Sequence, residues 1–212
     1  ILYRAEKGDQ VPLERKKKEK KKKGRQAKKD EKTFEVLTES GEKKIITESY
    51  LLDKIDYACR GFEKLASPDE LFDDVILNFY EGIKEKEIDQ ALIMTTKSKI
   101  EKDPAFASIA SRFLLDVTYL EVMETESTHS DLEKIHQEYF HKYIQHGIKI
   151  GRLSKELTGF DLELLGKTLD ISRDDKFQYL GLQTLYDRYL IHDKERRIET
   201  PQIFWMRVAM GV

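Results

Sequence analysis

Three histidines, His136, His141 and His146, recur every five residues, and their type and spacing raise the question of a metal. On a helix, five residues turn the chain by about 140° beyond a full turn, so the three imidazoles face different directions. Zinc helices use spacings of about three or four and add further ligands of fixed type, a pattern this stretch lacks. Carboxylates are plentiful, but none stands in an HExxH string or an EF-hand loop, and no GxGxxG or P-loop glycine pattern occurs. A GxSxG nucleophile elbow is likewise absent. Cys59 is the single cysteine, which excludes an internal disulfide and any CxxC motif. It falls on an apolar helical stripe, where a small buried residue is expected rather than a reactive thiol. The residue types therefore predict no catalytic centre and no metal ligands in this chain.

Charge supplies the next signal. The 212 residues carry a net charge of -2, but residues 11–32 hold 12 Lys/Arg against 4 Asp/Glu, and residues 33–212 carry -10. Blocks of like charge repel and stay solvated, so 11–32 reads as a lysine-rich linker or exposed helical connector. A grip on nucleic acid is the competing reading. No aromatic residue interrupts the run for base stacking, and the segment that follows is acidic, so nucleic acid is not the expected partner. Hydrophobic residues make up 39% and charged residues 37%, and no apolar run approaches the roughly 18 residues of a membrane helix. A soluble chain is expected, and one cysteine suits a reducing, cytoplasmic compartment.

The elements that would carry such residues are legible from periodicity. Phe34, Val36 and Thr38 alternate with Glu35, Leu37 and Glu39, Ser40–Lys44 supplies a turn, and Ile45 and Ile46 return, which predicts a hairpin. Four amphipathic helices follow. The first carries Leu51, Ile55, Ala58, Cys59 and Phe62. The second opens at Ser67-Pro68 with Glu70, a capping signature. The third begins after Gly82 and runs through Ile88, Leu92 and Thr95. The fourth starts at Pro104 and carries Phe106, Ile109, Phe113, Leu114, Val117 and Leu120. Small polar residues from Thr125 to Asp131 mark a boundary, so one domain is expected over 33–124 and another over 125–212.

Beyond that boundary three helices are expected: Leu132 to about Ile148, Asp161 to Leu169, and one from about Asp174. A second hairpin is expected with strands at Tyr189–Ile191 and Arg197–Glu199 around a His192–Glu195 turn. Thr200-Pro201 then reads as a helix start. The segment after it is apolar nearly all round, so it is expected to be a buried helix whose partners belong to a longer protein. Trp205, the only tryptophan, is read as a packing residue. The fold class is mainly α (α+β).

The closing segment DRYLIHDKERRIETPQIFWMRVAMGV, Asp187 to Val212, resembles the large subunits of bacterial class I ribonucleotide reductases. In that family a Y-L hairpin leads through E-T/R-P-Q into a W-M-R-V-A-M-G helix. Tyr189, Leu190, Glu199 to Gln202 and Phe204 to Gly211 carry the match, which extends back to about Leu132. The resemblance implies that 125–212 is the N-terminal helical region of the catalytic domain. Residues 33–124 then fall where the family carries its ATP-cone, a hairpin lid over four helices. Phe79–Ile88 (FYEGIKEKEI) resembles the cone's central turn and Leu52–Ile55 (LDKI) its first helix. Residues 1–7 resemble the Y-R-x-x-R exit of a preceding cone, which gives 1–10 the same assignment.

The resemblance implies a role in making deoxyribonucleotides for DNA synthesis, with ATP and dATP as allosteric effectors. It also implies a small (beta) subunit and other large subunits as partners. The family reaction uses cysteine thiyl chemistry, and those cysteines are not in this chain, so a regulatory and scaffold role is expected. Functional cones open with V-x-K-R-x-G, whereas Val36–Gly41 reads VLTESG, with Thr38 and Glu39 in the cationic positions. The family threonine after G-I-K is Glu85, and acidic and apolar residues around Asp116 to Val122 replace a late cation. Only Lys54, then Lys43 and Lys44, remain to meet phosphate. A degenerate cone is expected, one that keeps the fold and loses nucleotide binding. The alternative is a non-catalytic helical interaction module. A cone-bearing transcriptional repressor is excluded, because it needs paired zinc cysteines.

Overall fold

The computed structural model describes residues 31–212. The expected cone exit at 1–10 and all but the last two residues of the 11–32 linker lie outside the described residues. The element order matches the periodicity. Strands β1 (Thr33–Leu37) and β2 (Lys43–Thr47) form an antiparallel hairpin, followed by helices α1 (Glu48–Cys59), α2 (Pro68–Ile76), α3 (Glu85–Ser98) and α4 (Ala105–Met123). Then come α5 (Leu132–Lys149), a 3-10 turn (Lys155–Gly159), α6 (Leu162–Thr168), a second 3-10 turn (Ile171–Lys176) and α7 (Tyr179–Arg188). A short hairpin, β3 (His192–Asp193) and β4 (Arg196–Arg197), leads into α8 (Pro201–Met210). The mainly α architecture with two small hairpins is the one read from the sequence.

Helix starts are chemically explicit. The hydroxyls of Thr47 and Ser67 accept from the amides of Tyr50 (3.2 Å) and Glu70 (3.3 Å), which caps α1 and α2. The first hairpin pairs Phe34 with Ile46 and Val36 with Lys44, and Val36 and Ile46 face the bundle. Its first strand docks on the chain just before α3, where the Leu37 amide donates to the Ile83 carbonyl at 2.9 Å. Gly82 makes that turn possible with φ +81, a conformation that strains any residue with a Cβ.

Helix α4 is the central element. Its stripe of Phe106, Ile109, Ala110, Phe113 and Leu114 closes the core with Leu51, Ile55, Leu71, Val75 and Leu92. Each fully buried aliphatic side chain in this core is worth about 1.5–3 kcal/mol relative to exposure. The other side of α4 packs on α7, so Tyr119, Tyr179 and Leu182 belong to that same core. The segment 125–212 is therefore joined to the four-helix bundle by continuous apolar contact. A smaller core joins Phe140, Tyr143 and Ile144 of α5 to Ile198, Ile203 and Met210.

One expectation is corrected. The second hairpin is tighter than expected: the amides of Tyr189 and Leu190 both bond to the Leu185 carbonyl and so finish α7. His192 and Asp193 are consequently in the strand, and the turn shrinks to Lys194 and Glu195, with Lys194 at φ 57. Among the described residues helix α8 is buried along one face only, in keeping with a helix whose remaining partners are expected outside this chain. Pro201, Ile203, Phe204 and Met210 face inward, whereas Trp205 is 53% and Val208 37% exposed. A helix period of about 3.6 puts positions 205 and 208 opposite the stripe that meets α5.

Candidate functional site

The three histidines have three separate surroundings. His136 is buried on α5 with Nε2 2.6 Å from the Thr200 hydroxyl, and burial pushes its pKa down to about 4. His141 lines an open groove beside α6. The His146 Nε2 lies 2.8 Å from Asp193 Oδ2. Among the described residues no group of three His, Cys, Asp or Glu side chains is placed to hold a metal ion. Cys59 is fully buried in the core, and burial pushes its thiol up to about 11, which removes thiolate reactivity near neutral pH.

A cavity of about 700 Å³ lies beneath the first hairpin and takes in two of the three lysines read from the sequence as phosphate candidates. Lys44 of β2 and Lys54 of α1 both line it, together with Tyr50, Lys86 and Tyr186. Lys43 does not line it; its ammonium is 2.6 Å from Glu35 on the outer side of the hairpin. Carboxylates already engage Lys44 and Lys54, while Lys86 is exposed at the rim. Lys44 Nζ is 2.6 Å from Glu85, and Lys54 Nζ is 3.0 Å from Asp89 and 2.9 Å from Asp116. Burial works against the Lys54 charge, but the two carboxylates more than restore it, so its pKa rises above the ordinary lysine value. Asp116 is fixed from its other side, where Oδ1 accepts from the Ser127 amide (2.7 Å) and hydroxyl (2.8 Å).

The far wall of the cavity comes from the second hairpin. Arg196 donates to the Glu121 and Val122 carbonyls at 2.5 and 3.3 Å, capping the C-terminal end of α4 where cations are favoured. Arg197 pairs with the Glu121 carboxylate, and its guanidinium lies 3.4 Å from the centre of the Tyr186 ring. Glu39 and Glu195 also line the cavity. Four of its five lining cations are thus paired with carboxylates, Lys86 being the exception, and the seven lining carboxylates outnumber them.

Sequence reasoning found Lys54 but missed Asp89, Asp116 and Tyr50 around it. The available signal was Asp116 lying inside the apolar stripe Phe113, Leu114, Val117, Leu120, because a charge at such a position must be paired when it is buried. Two other buried carboxylates were also missed. Asp174, 1% exposed, accepts from the Tyr119 hydroxyl (2.6 Å) and the Gln202 amide (2.8 Å). Burial pushes its pKa up to about 6, and those two hydrogen bonds offset part of the rise.

Glu199 is fully buried and organises the closing segment. It accepts from the Tyr143 hydroxyl, from the Ile191 amide at 2.8 Å, and from the Arg207 guanidinium, whose second bond is 3.2 Å. Thr200 caps α8 through the Ile203 amide, and Pro201 starts the helix. The Glu199-Thr200-Pro201-Gln202 string therefore ties α5, the segment that follows α7, α8 and the second 3-10 turn together. Its polar atoms are used up in structure, and none is directed at a reacting group.

The segment held by this network matches a family model described as "Ribonucleotide reductase, all-alpha domain", over residues 175–212. The chain is similar to the ribonucleoside-diphosphate reductase subunit alpha of Chlamydia muridarum, 46% identical over 183 residues, which is 86% of this chain and 17% of that protein. It is also similar to the subunit alpha of Helicobacter pylori, 36% identical over 147 residues, covering 68% of this chain and 18% of that protein. The large subunit of Plasmodium falciparum is 28% identical over 180 residues, covering 84% of this chain and 22% of its own length. The chain thus spans about a sixth to a fifth of the length of these relatives. From the matched all-alpha segment and the identity across most of its length, the chain belongs to the ribonucleotide reductase large-subunit family, as an N-terminal portion.

Proposed function

We propose that this chain supplies the regulatory and scaffold portion of a ribonucleoside-diphosphate reductase large subunit. In this reading the chain does no chemistry itself, and the reduction of ribonucleotides to deoxyribonucleotides depends on cysteines elsewhere in the parent protein. Residues 33–124 act as a degenerate ATP-cone and 125–212 as the start of the catalytic domain's helical region. The observation that carries the degenerate reading is the pairing of Lys44 and Lys54 with three carboxylates, which among the described residues leaves no free buried cation beneath the hairpin for phosphate. ATP and dATP, the effectors expected of an intact cone, are then not ligands of Lys43, Lys44 or Lys54 here. Calorimetry of the chain with ATP and with dATP tests this, and micromolar binding of either nucleotide would overturn it.

The partners that follow are a small (beta) subunit and further copies of the large subunit, in the cytoplasm. No described helix is long and apolar enough to cross a membrane, and the single cysteine suits a reducing compartment. A plain interaction module is the second reading, favoured by the exposed Trp205 and Val208 face of α8. A pull-down with the purified small subunit separates the two. Capture by the chain alone supports the module, and capture only by the complete large subunit supports the scaffold.

A further inference from the structure

We propose that Asp89 and Asp116 are the residues that exclude nucleotide from the cone-like unit, by holding Lys54 as an internal cation beneath the hairpin. This rests on the reading of residues 33–124 as a degenerate cone, and it assigns the loss to two residues outside the lid. Thr38 and Glu39 alone do not account for it, since Lys54 lines the cavity and would remain available to phosphate.

The geometry explains why it is not available. The Lys54 side chain is 8% exposed, and its ammonium lies between Asp89 on α3 and Asp116 on α4, at 3.0 and 2.9 Å. The three charges sum to one negative before any ligand arrives. A phosphate oxygen within bonding reach of Nζ must approach both carboxylates, and in a partly buried site that repulsion is poorly screened. Nor is Asp116 free to swing away, because Ser127 holds its second oxygen. Asp89 is on the more open side of the pair, with a side chain 20% exposed.

The same arrangement seats the hairpin without a ligand. The Leu37 amide is bonded to the Ile83 carbonyl, and Lys44 reaches across to Glu85 at the start of α3. Lid and bundle are thus joined by the protein's own groups, in the place where a triphosphate would otherwise bridge them.

The test is a gain of function in the full chain, read by calorimetry with ATP and with dATP. Asp89→Asn with Asp116→Asn keeps the side-chain size and releases Lys54. Binding at least about tenfold tighter than in the parent, a shift of about 1.4 kcal/mol, is expected. Adding Lys54→Met is expected to abolish the gain, and binding that survives it overturns the proposal. No gain in a double variant with an unchanged circular dichroism spectrum also overturns it. Should that variant not fold, Asp89→Asn alone is expected to gain in the same direction, and a folded protein with no gain counts against the proposal. Micromolar binding by the parent is a different outcome, since it refutes the degenerate cone itself.

Discussion

Two buried groups, Asp174 and His136, predict opposite responses of stability to pH. The Asp174 carboxyl has its pKa raised from 3.8 to about 6 by burial, so the folded state holds its proton more tightly than the unfolded chain does. Its contribution to stability is full below about pH 4 and is lost as pH rises through about 6. The His136 imidazole is lowered from 6.5 to about 4, so its contribution is present above about 6.5 and is lost as pH falls through about 4. At 1.36 kcal/mol per unit, each shift is worth about 3 kcal/mol, and between about pH 4 and 6 the two slopes oppose each other.

Single substitutions unmask them. Asp174→Asn keeps an acceptor for Gln202 and a partner for Tyr119, so packing is little disturbed. Its stability relative to the parent is expected to rise by about 3 kcal/mol between pH 4 and 7. His136→Gln is expected to change by a similar amount in the opposite sense. Urea unfolding of both variants and the parent across this range checks the prediction, because subtraction cancels every other titrating group. Parallel curves for parent and Asp174→Asn would refute the reasoning, since the carboxyl would then titrate alike in both states.

Three further outcomes follow from the same structure. Glu199→Gln leaves a buried acceptor site facing Arg207 and Ile191 with one oxygen too few, and is expected to cost about 3 kcal/mol in chemical denaturation. Combining it with Arg207→Met should cost less than the sum of the single changes, as a double-mutant cycle would show. Gly166→Ala puts a Cβ 3.0 Å from the Gln137 carbonyl, where α6 crosses α5, and is expected to lower stability by about 1–3 kcal/mol on thermal melting. Trp205, half-exposed on α8, is expected to be quenched readily by iodide in this chain. In the complete large subunit the same fluorescence should be shielded, and equal quenching in both would argue against α8 as a covered face.

The local elements were legible because they depend on short-range patterns. Alternation fixed the first hairpin, a period near 3.6 fixed α1 to α5, and Thr200-Pro201 fixed the start of α8. The second hairpin was misread by a few residues because α7 runs on through the Leu185 carbonyl, and its turn depends on the positive φ of Lys194. Neither feature has a composition signature.

By itself, the sequence determined family membership, the order of elements and the shortage of free cations around the lid. It placed Lys54 as the surviving phosphate candidate, but could not say what sits beside it. Asp89 and Asp116 are 35 and 62 positions away in the chain, and only the packing of α3 and α4 against α1 brings their carboxylates to one ammonium. The same holds for Glu199, whose partners Tyr143 and Arg207 come from α5 and α8. Periodicity reports which face of an element is apolar. Which charges meet beneath that face is decided by how the elements pack, because electrostatic partners are chosen by distance in space and not along the chain.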